Sequence, residues 1–91
     1  MNSSQRQTLE RIFATPISKN LAWRDIEHLF IALGCEIIEG NGSRVAFKFN
    51  TTRADFHRPH PNKEAKPYQI RDARVFLTVL GFAPEIKEEE S

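Results

Sequence analysis

From Arg44 to His57 the chain alternates apolar with polar residues, and that pattern leaves few folds open. Val45, Phe47 and Phe49 fall on one side of an extended run from Arg44 to Asn50, with Arg44, Ala46, Lys48 and Asn50 on the other. Thr51-Thr52 is expected to turn the chain, after which Ala54 and Phe56 continue the apolar side and Arg53, Asp55 and His57 the polar one. A strand pair with one apolar face must have that face covered. The chain has 91 residues, enough for one domain and a thin core. The cover therefore has to come from close by in the sequence.

Helical spacing supplies it on both sides. Ser4-Gln5-Arg6-Gln7 reads as a capping box, followed by Leu9, Ile12 and Phe13, with Pro16 ending this first short helix. A stronger stripe runs from about Trp23 to Leu33 through Ile26, Leu29, Phe30 and Leu33. Asp25 and Glu27 suit its positive end, and Gly34 its left-handed cap. His28 lies off the stripe and is read as solvated. Cys35 to Glu39 forms a further strand, and Asn41-Gly42 predicts a tight hairpin turn into Arg44.

Beyond the third strand, residues 58–67 read as loop, with Arg58 and His60 each held extended by a following proline. Pro67 opens the last helix, whose stripe is Ile70, Ala73, Leu77 and Leu80, widened by Val75, Phe76 and Val79. Gly81 caps it and Phe82 closes back on the core. The tail from Glu85 to Ser91 is acidic and reads as a frayed, solvated terminus that would also suit shielding of nearby cations. The predicted order is α-α-β-β-β-α, an α+β fold in which helices cover one face of a three-stranded antiparallel meander.

Charge is segregated along this order. Residues 1–42 carry a balance of −1, residues 43–74 of +5 and residues 75–91 of −3. The basic middle is the footprint of a polyanion partner or a solvated face, and charge alone does not choose between them. Cys35 is the single cysteine, which excludes an internal disulfide and a C-x-x-C site and fits a reducing compartment. No apolar run approaches a membrane span, and the first residues lack a secretory pattern, so the expected location is the cytoplasm.

The amphipathic helix ending at Leu33-Gly34, the hairpin with Gly42-Ser43 before the second strand, Pro59-His60-Pro61 after the third, and the final helix from Ile70-Arg71 to Gly81 together resemble the HicA toxins of bacterial type II toxin–antitoxin pairs. The resemblance spans about residues 21–83 of a single domain. It leaves residues 1–20 as a helical extension and 84–91 as a tail. It implies a fold like the double-stranded-RNA-binding domain, α-β-β-β-α, with one extra N-terminal helix. It also implies cleavage of mRNA by a metal-free mechanism without a cofactor, and neutralisation by a cognate HicB-type antitoxin. The family's usual Gly-Ser-His carries the histidine regarded as catalytic, whereas this chain reads Gly42-Ser43-Arg44. In that respect it looks like a longer-chain variant with Gly-Ser-Arg-Val and the run from Phe56 to Pro61.

Metal-free RNA cleavage needs a base for the 2′-hydroxyl, an acid for the leaving 5′-oxygen and cations for the phosphorane. Imidazole suits the first two and the arginine fork the third. His57 and His60 are the candidate catalytic residues, with Asp55 placed to orient His57 and Arg44 to bind the scissile phosphate. The alternative is that His57 rests on the sheet surface and the Pro-His-Pro loop only shapes the approach to the last helix. A metal site from His57, His60, Asp55 and Cys35 matches no standard spacing. RNA contacts are assigned to Ser43, Arg44, Lys48, Arg53, Arg58, Lys63, Lys66 and Arg71, with Arg74 extending the same surface. Phe47, Phe49 and Phe56 are read as core, leaving Tyr68 as the exposed aromatic. An RNA-binding module without cleavage, and a protein-interaction domain with a basic face, remain as alternatives.

Overall fold

The computed structural model describes residues 1–60 and 63–84. It contains α1 (Ser3–Ile12), α2 (Trp23–Ala32), β1 (Glu36–Glu39), β2 (Arg44–Phe49), β3 (Thr52–His57) and α3 (Pro67–Leu80). The strands form one antiparallel sheet in the order β1-β2-β3. The fold is α+β, as the periodicity predicts. Pro61, Asn62 and the acidic tail from Glu85 lie outside the described residues.

The core forms where the alternating strands meet the helical stripes. Val45, Phe47 and Phe56 from the sheet are buried against Trp23, Ile26, Leu29 and Phe30 of α2 and Ile70, Ala73, Phe76 and Leu77 of α3. Aromatic rings join these layers: Phe30 stands edge-on to Phe47 at 4.9 Å and to Phe76 at 5.2 Å, and Trp23 lies 5.2 Å from Phe56. Such pairs add about 0.5–1.5 kcal/mol each beyond the burial of their area. α1 docks on the same core through Leu9 and Ile12, so the extension is part of the packed body. Arg74 reaches from α3 to the end of α1, donating from Nε to the carbonyl of Ile12 (2.6 Å) and from Nη2 to that of Ala14 (2.5 Å). Those bonds satisfy carbonyls a helix end leaves without partners, and they occupy a cation expected on the RNA surface.

Several local expectations shift by a residue or two. The first capping box is Asn2 with Gln5: the Gln5 amide donates to Asn2 Oδ1 (2.9 Å) and the Asn2 amide to Gln5 Oε1 (3.0 Å). Asn2 and Ser4 both stand three residues before a glutamine, and the earlier pair lengthens the helix. In the first hairpin the Arg44 amide donates to the Asn41 carbonyl (3.1 Å), so Gly42 (φ +61°) and Ser43 sit at the centre of the turn. The second turn is Asn50-Thr51, with Asn50 left-handed (φ +56°) and Thr52 already in β3. Asparagine takes that conformation more readily than the β-branched threonine.

Val75 and Val79, expected to widen the buried stripe of α3, are each 64% exposed. α3 lies against the β3 edge of the sheet, and a stripe that wide overruns the surface available to cover it. The end of α3 follows expectation: Gly81 is left-handed (φ +87°), and the Phe82 amide donates to the Leu77 carbonyl (2.9 Å). Phe82 then packs edge-on to Phe49 at 6.0 Å.

The loop after β3 is stitched to the start of α2. Trp23 donates to the Lys63 carbonyl (3.1 Å), Ala65 to that of Leu21 (2.8 Å), and Ala22 bridges to Glu64. The loop is thereby held beside the sheet end that carries His57.

Candidate functional site on the outer sheet face

The face of the sheet turned away from the helices carries the polar half of the alternation. Arg44 pairs with His57, Ala46 with Asp55 and Lys48 with Arg53 across β2 and β3, while Ile38 of β1 stands opposite Ala46. Directly opposed residues have Cβ atoms about 4.5–5.5 Å apart. Arg44 and His57 are therefore immediate neighbours, although 13 positions separate them in the sequence.

Ala46 is the smallest side chain of this group and only 2% exposed, although it faces away from the core. The longer side chains around it rise and leave a depression of about 410 Å³, lined by Ile38, Arg44, Ala46, Arg53, Asp55 and His57 with the first hairpin at its rim. Alternation alone grouped Ala46 with exposed polar residues; its size among bulky neighbours is what makes it a floor.

Charge in the depression is mixed. Arg53 forks onto Asp55, with Nε 2.9 Å from Oδ1 and Nη2 3.3 Å from Oδ2. That hydrogen bond, followed by the charges of Arg53 and of Arg44, holds the Asp55 carboxyl below the usual carboxylate range. Asp55 thus accepts the fork of Arg53, on the face that it shares with His57. Arg44 and Lys48 are exposed and form no salt bridge among the described residues.

Arg58, next after His57, turns out of this face. Its Nη2 meets Glu27 Oε2 at 2.5 Å and its Nη1 meets Glu39 Oε1 at 2.7 Å, with further contacts from Nε and Nη2 to both carboxylates. Glu27 also accepts from Trp23 Nε1 (2.9 Å). Both carboxylates, Glu39 first, raise the Arg58 pKa further above its ordinary value. The backbone of Arg58 donates to the Ser43 carbonyl at 2.7 Å, extending the β2–β3 pairing to the hairpin. Its fork is fully engaged in joining α2, β1 and the end of β3. No spacing rule links residues 27, 39 and 58, so sequence reasoning had no signal for this clamp.

Gln69 is a second residue that the sequence reading left out. It is 1% exposed, accepts from the Lys66 amide at Oε1 (2.9 Å) and donates from Nε2 to the His57 carbonyl (2.7 Å). Its place at the third position of α3 was a usable capping signal; the long-range bond was not. His60 lies on the loop beyond β3, exposed and outside the lining of the depression. Lys63 and Lys66 are exposed on that loop, and Arg71 and Tyr68 on α3. Cys35 is buried on the core side, where burial pushes its thiol up. Among the described residues no three of His, Cys, Asp and Glu converge as metal ligands. Nor, among them, is any helix long and apolar enough to cross a membrane.

The outer face therefore gathers an imidazole, two guanidiniums and an ionised carboxylate around an alanine floor, with Lys48 and the opposed Glu36 of β1 beyond it. Compared with known proteins, residues 23–81 match the family described as the HicA toxin of bacterial toxin–antitoxin. No curated protein and no solved structure matches the chain.

Proposed function

The chain belongs to the HicA toxin family, and on that premise we propose that it is a metal-independent endoribonuclease that cleaves mRNA on the outer face of its sheet. The single observation that carries this reading is the pairing of Arg44 with His57 across β2 and β3. By the resemblance of Gly42-Ser43-Arg44 to the family's Gly-Ser-His, Arg44 stands where that motif has its histidine, and His57 is its direct cross-strand partner.

His57 then takes the proton from the 2′-hydroxyl as that oxygen bonds to phosphorus. The P–O5′ bond breaks and an imidazolium returns a proton to the leaving oxygen, giving a 2′,3′-cyclic phosphate and a free 5′-hydroxyl. Arg44 grips the phosphorane oxygens through its planar fork. His60, on the neighbouring loop, is the second candidate for proton transfer. Ser43, Lys48 and Arg53 bind the RNA backbone around the scissile phosphate, with Lys63, Lys66 and Arg71 extending the track beyond the His57 end. Arg58 supports this surface from behind.

The partner that silences the toxin is a HicB-type antitoxin covering the basic face, and the compartment is the cytoplasm. Arginine at the histidine position also favours a second reading, an RNA-binding module without cleavage. Expression in bacteria separates the two. Growth arrest with mRNA loss that disappears in His57→Ala supports the nuclease; RNA binding without mRNA loss supports the module.

A further inference from the structure

We propose that the depression over Ala46 is a subsite for one unpaired guanine base, read by the carboxylate of Asp55. This deepens the RNA reading of the outer face and rests on it. Asp55 sets a two-oxygen acceptor in this depression, engaged in the free chain by the fork of Arg53.

The fork from Arg53 shows what this acceptor fits. Its Nε–H and Nη2–H reach the two oxygens of Asp55 in parallel. The N1–H and N2–H₂ groups of guanine form the same guanidine unit and present the same pair of donors. Cytosine and adenine present one exocyclic amine beside an acceptor, and uracil a single imide donor, so none of them supplies the pair. In the free chain the hydrogen bond from Arg53, followed by the charges of Arg53 and Arg44, holds this carboxyl below the usual carboxylate range, so it is ionised and acceptor-only.

Exchange is cheap because both partners of the pair are about half exposed, 52% for Arg53 and 56% for Asp55. A guanine edge displacing Arg53 frees that guanidinium for the adjoining phosphate, so base reading and phosphate binding reinforce each other. The volume of about 410 Å³ falls within the roughly 300–1,000 Å³ of small-ligand pockets. Ile38, only partly buried, offers an apolar surface for the base plane beside the covered Ala46, and Arg44 a guanidinium to stack on it. A base lying flat here must be out of its helix, which commits the subsite to single-stranded RNA.

The test uses the full chain and four nucleoside 5′-monophosphates, followed by amide chemical shifts. GMP is expected to bind about tenfold more tightly than AMP, CMP or UMP, perturbing Ala46 and Asp55. Inosine monophosphate, which lacks the 2-amino group, is expected to lose that advantage, and Asp55→Asn to erase it. Equal binding of all four, inosine monophosphate matching GMP, or a preference that survives Asp55→Asn overturns the subsite. Cleavage by the unaltered chain is read separately. Cleavage without guanine preference overturns the subsite and leaves the nuclease standing; guanine preference without cleavage upholds the subsite and removes the nuclease.

Discussion

Gln69 and His57 are joined by a 2.7 Å hydrogen bond from a buried side-chain amide to a backbone carbonyl. The same side chain holds the first amide before α3, so one residue fixes the end of β3 against the start of the last helix. Gln69→Leu keeps the volume and removes both bonds, leaving a carbonyl and an amide without partners. The expected cost is about 1–3 kcal/mol in urea unfolding. RNA cleavage at a temperature where the variant is fully folded should also fall, because the backbone carrying His57 loses its anchor. Unchanged cleavage in the folded variant would detach Gln69 from function.

The Arg44–His57 pair separates proton transfer from phosphate binding. His57→Ala is expected to slow cleavage by about 10²–10⁴-fold with RNA affinity close to that of the unaltered chain. Arg44→Ala is expected to weaken binding and to lower the slope of log affinity against log salt by about 0.7, one contact to single-stranded RNA. Fluorescence anisotropy across a salt series and gel assays of cleavage read the two effects apart. A loss of affinity in His57→Ala equal to that in Arg44→Ala would merge the roles and refute the division.

The clamp on Arg58 is unequal. The Glu27 side chain is 15% exposed, that of Glu39 64%. Glu27 also holds Trp23 Nε1, so Glu27→Ala takes from a part-buried arginine the more buried of its two carboxylates and from an indole its acceptor. It should cost about 1–3 kcal/mol, and Glu39→Ala clearly less. Arg58→Lys does not restore the clamp, since a single ammonium cannot fork onto two carboxylates. Thermal melts of the three variants give the order; a larger shift for Glu39→Ala than for Glu27→Ala would reverse the account.

Much of this fold is legible in the sequence because two periods do most of the work. Spacing by two places Phe47 and Phe56 inward and Arg44 and His57 outward, and spacing by three and four places Ile26, Phe30, Ile70 and Leu77 on the core. Turn centres slip by one residue because Gly42, Ser43, Asn50 and Thr51 all suit turns, and backbone register chooses among them. The exposed valines of α3 show a different limit: periodicity tells which face is apolar but not how wide a neighbour covers it. At the site, alternation groups Arg44, Lys48, Arg53 and His57 on one face. The diversion of Arg58 and Arg74 into structural bonds was beyond it, since their partners are 19 to 62 residues away. Charge in sequence counts such groups as available; only the fold shows which are already engaged.

Acid should loosen the sheet end before the core. The hydrogen bond from Arg58 holds Glu39 below its ordinary 4.5, and that from Arg53 holds Asp55 below 3.8. A carboxyl with a lowered folded-state pKa stabilises the fold in full above its ordinary value and loses that contribution as pH falls through the lowered one. The melting temperature is therefore expected to hold from neutrality to about pH 5 and to drop below it. Glu39→Gln should flatten the lower part of that profile. An identical acid limb in this variant would mean that other carboxyls set it.

Gly40 and Gly42 belong to the same hairpin, one at its base and one at the turn centre, yet should fail for different reasons. At Gly42 the backbone is left-handed, φ +61°, with open space where a Cβ would stand. Gly42→Ala therefore meets conformational strain alone, about 1–2 kcal/mol, and Gly42→Asn less, because asparagine tolerates that region. Gly40 has no such backbone demand, but a Cβ there would lie 3.0 Å from Arg44 Cβ and 3.3 Å from the Arg44 carbonyl oxygen. The Gly40 amide also donates to that carbonyl at 2.9 Å, so the two residues have little room to part. Gly40→Ala must push on Arg44, the residue assigned to the phosphate. RNA affinity should thus fall in Gly40→Ala and stay near that of the unaltered chain in Gly42→Asn, while melting temperature falls in both. Equal RNA affinity in the two variants would show that the rim of the hairpin does not set the position of Arg44.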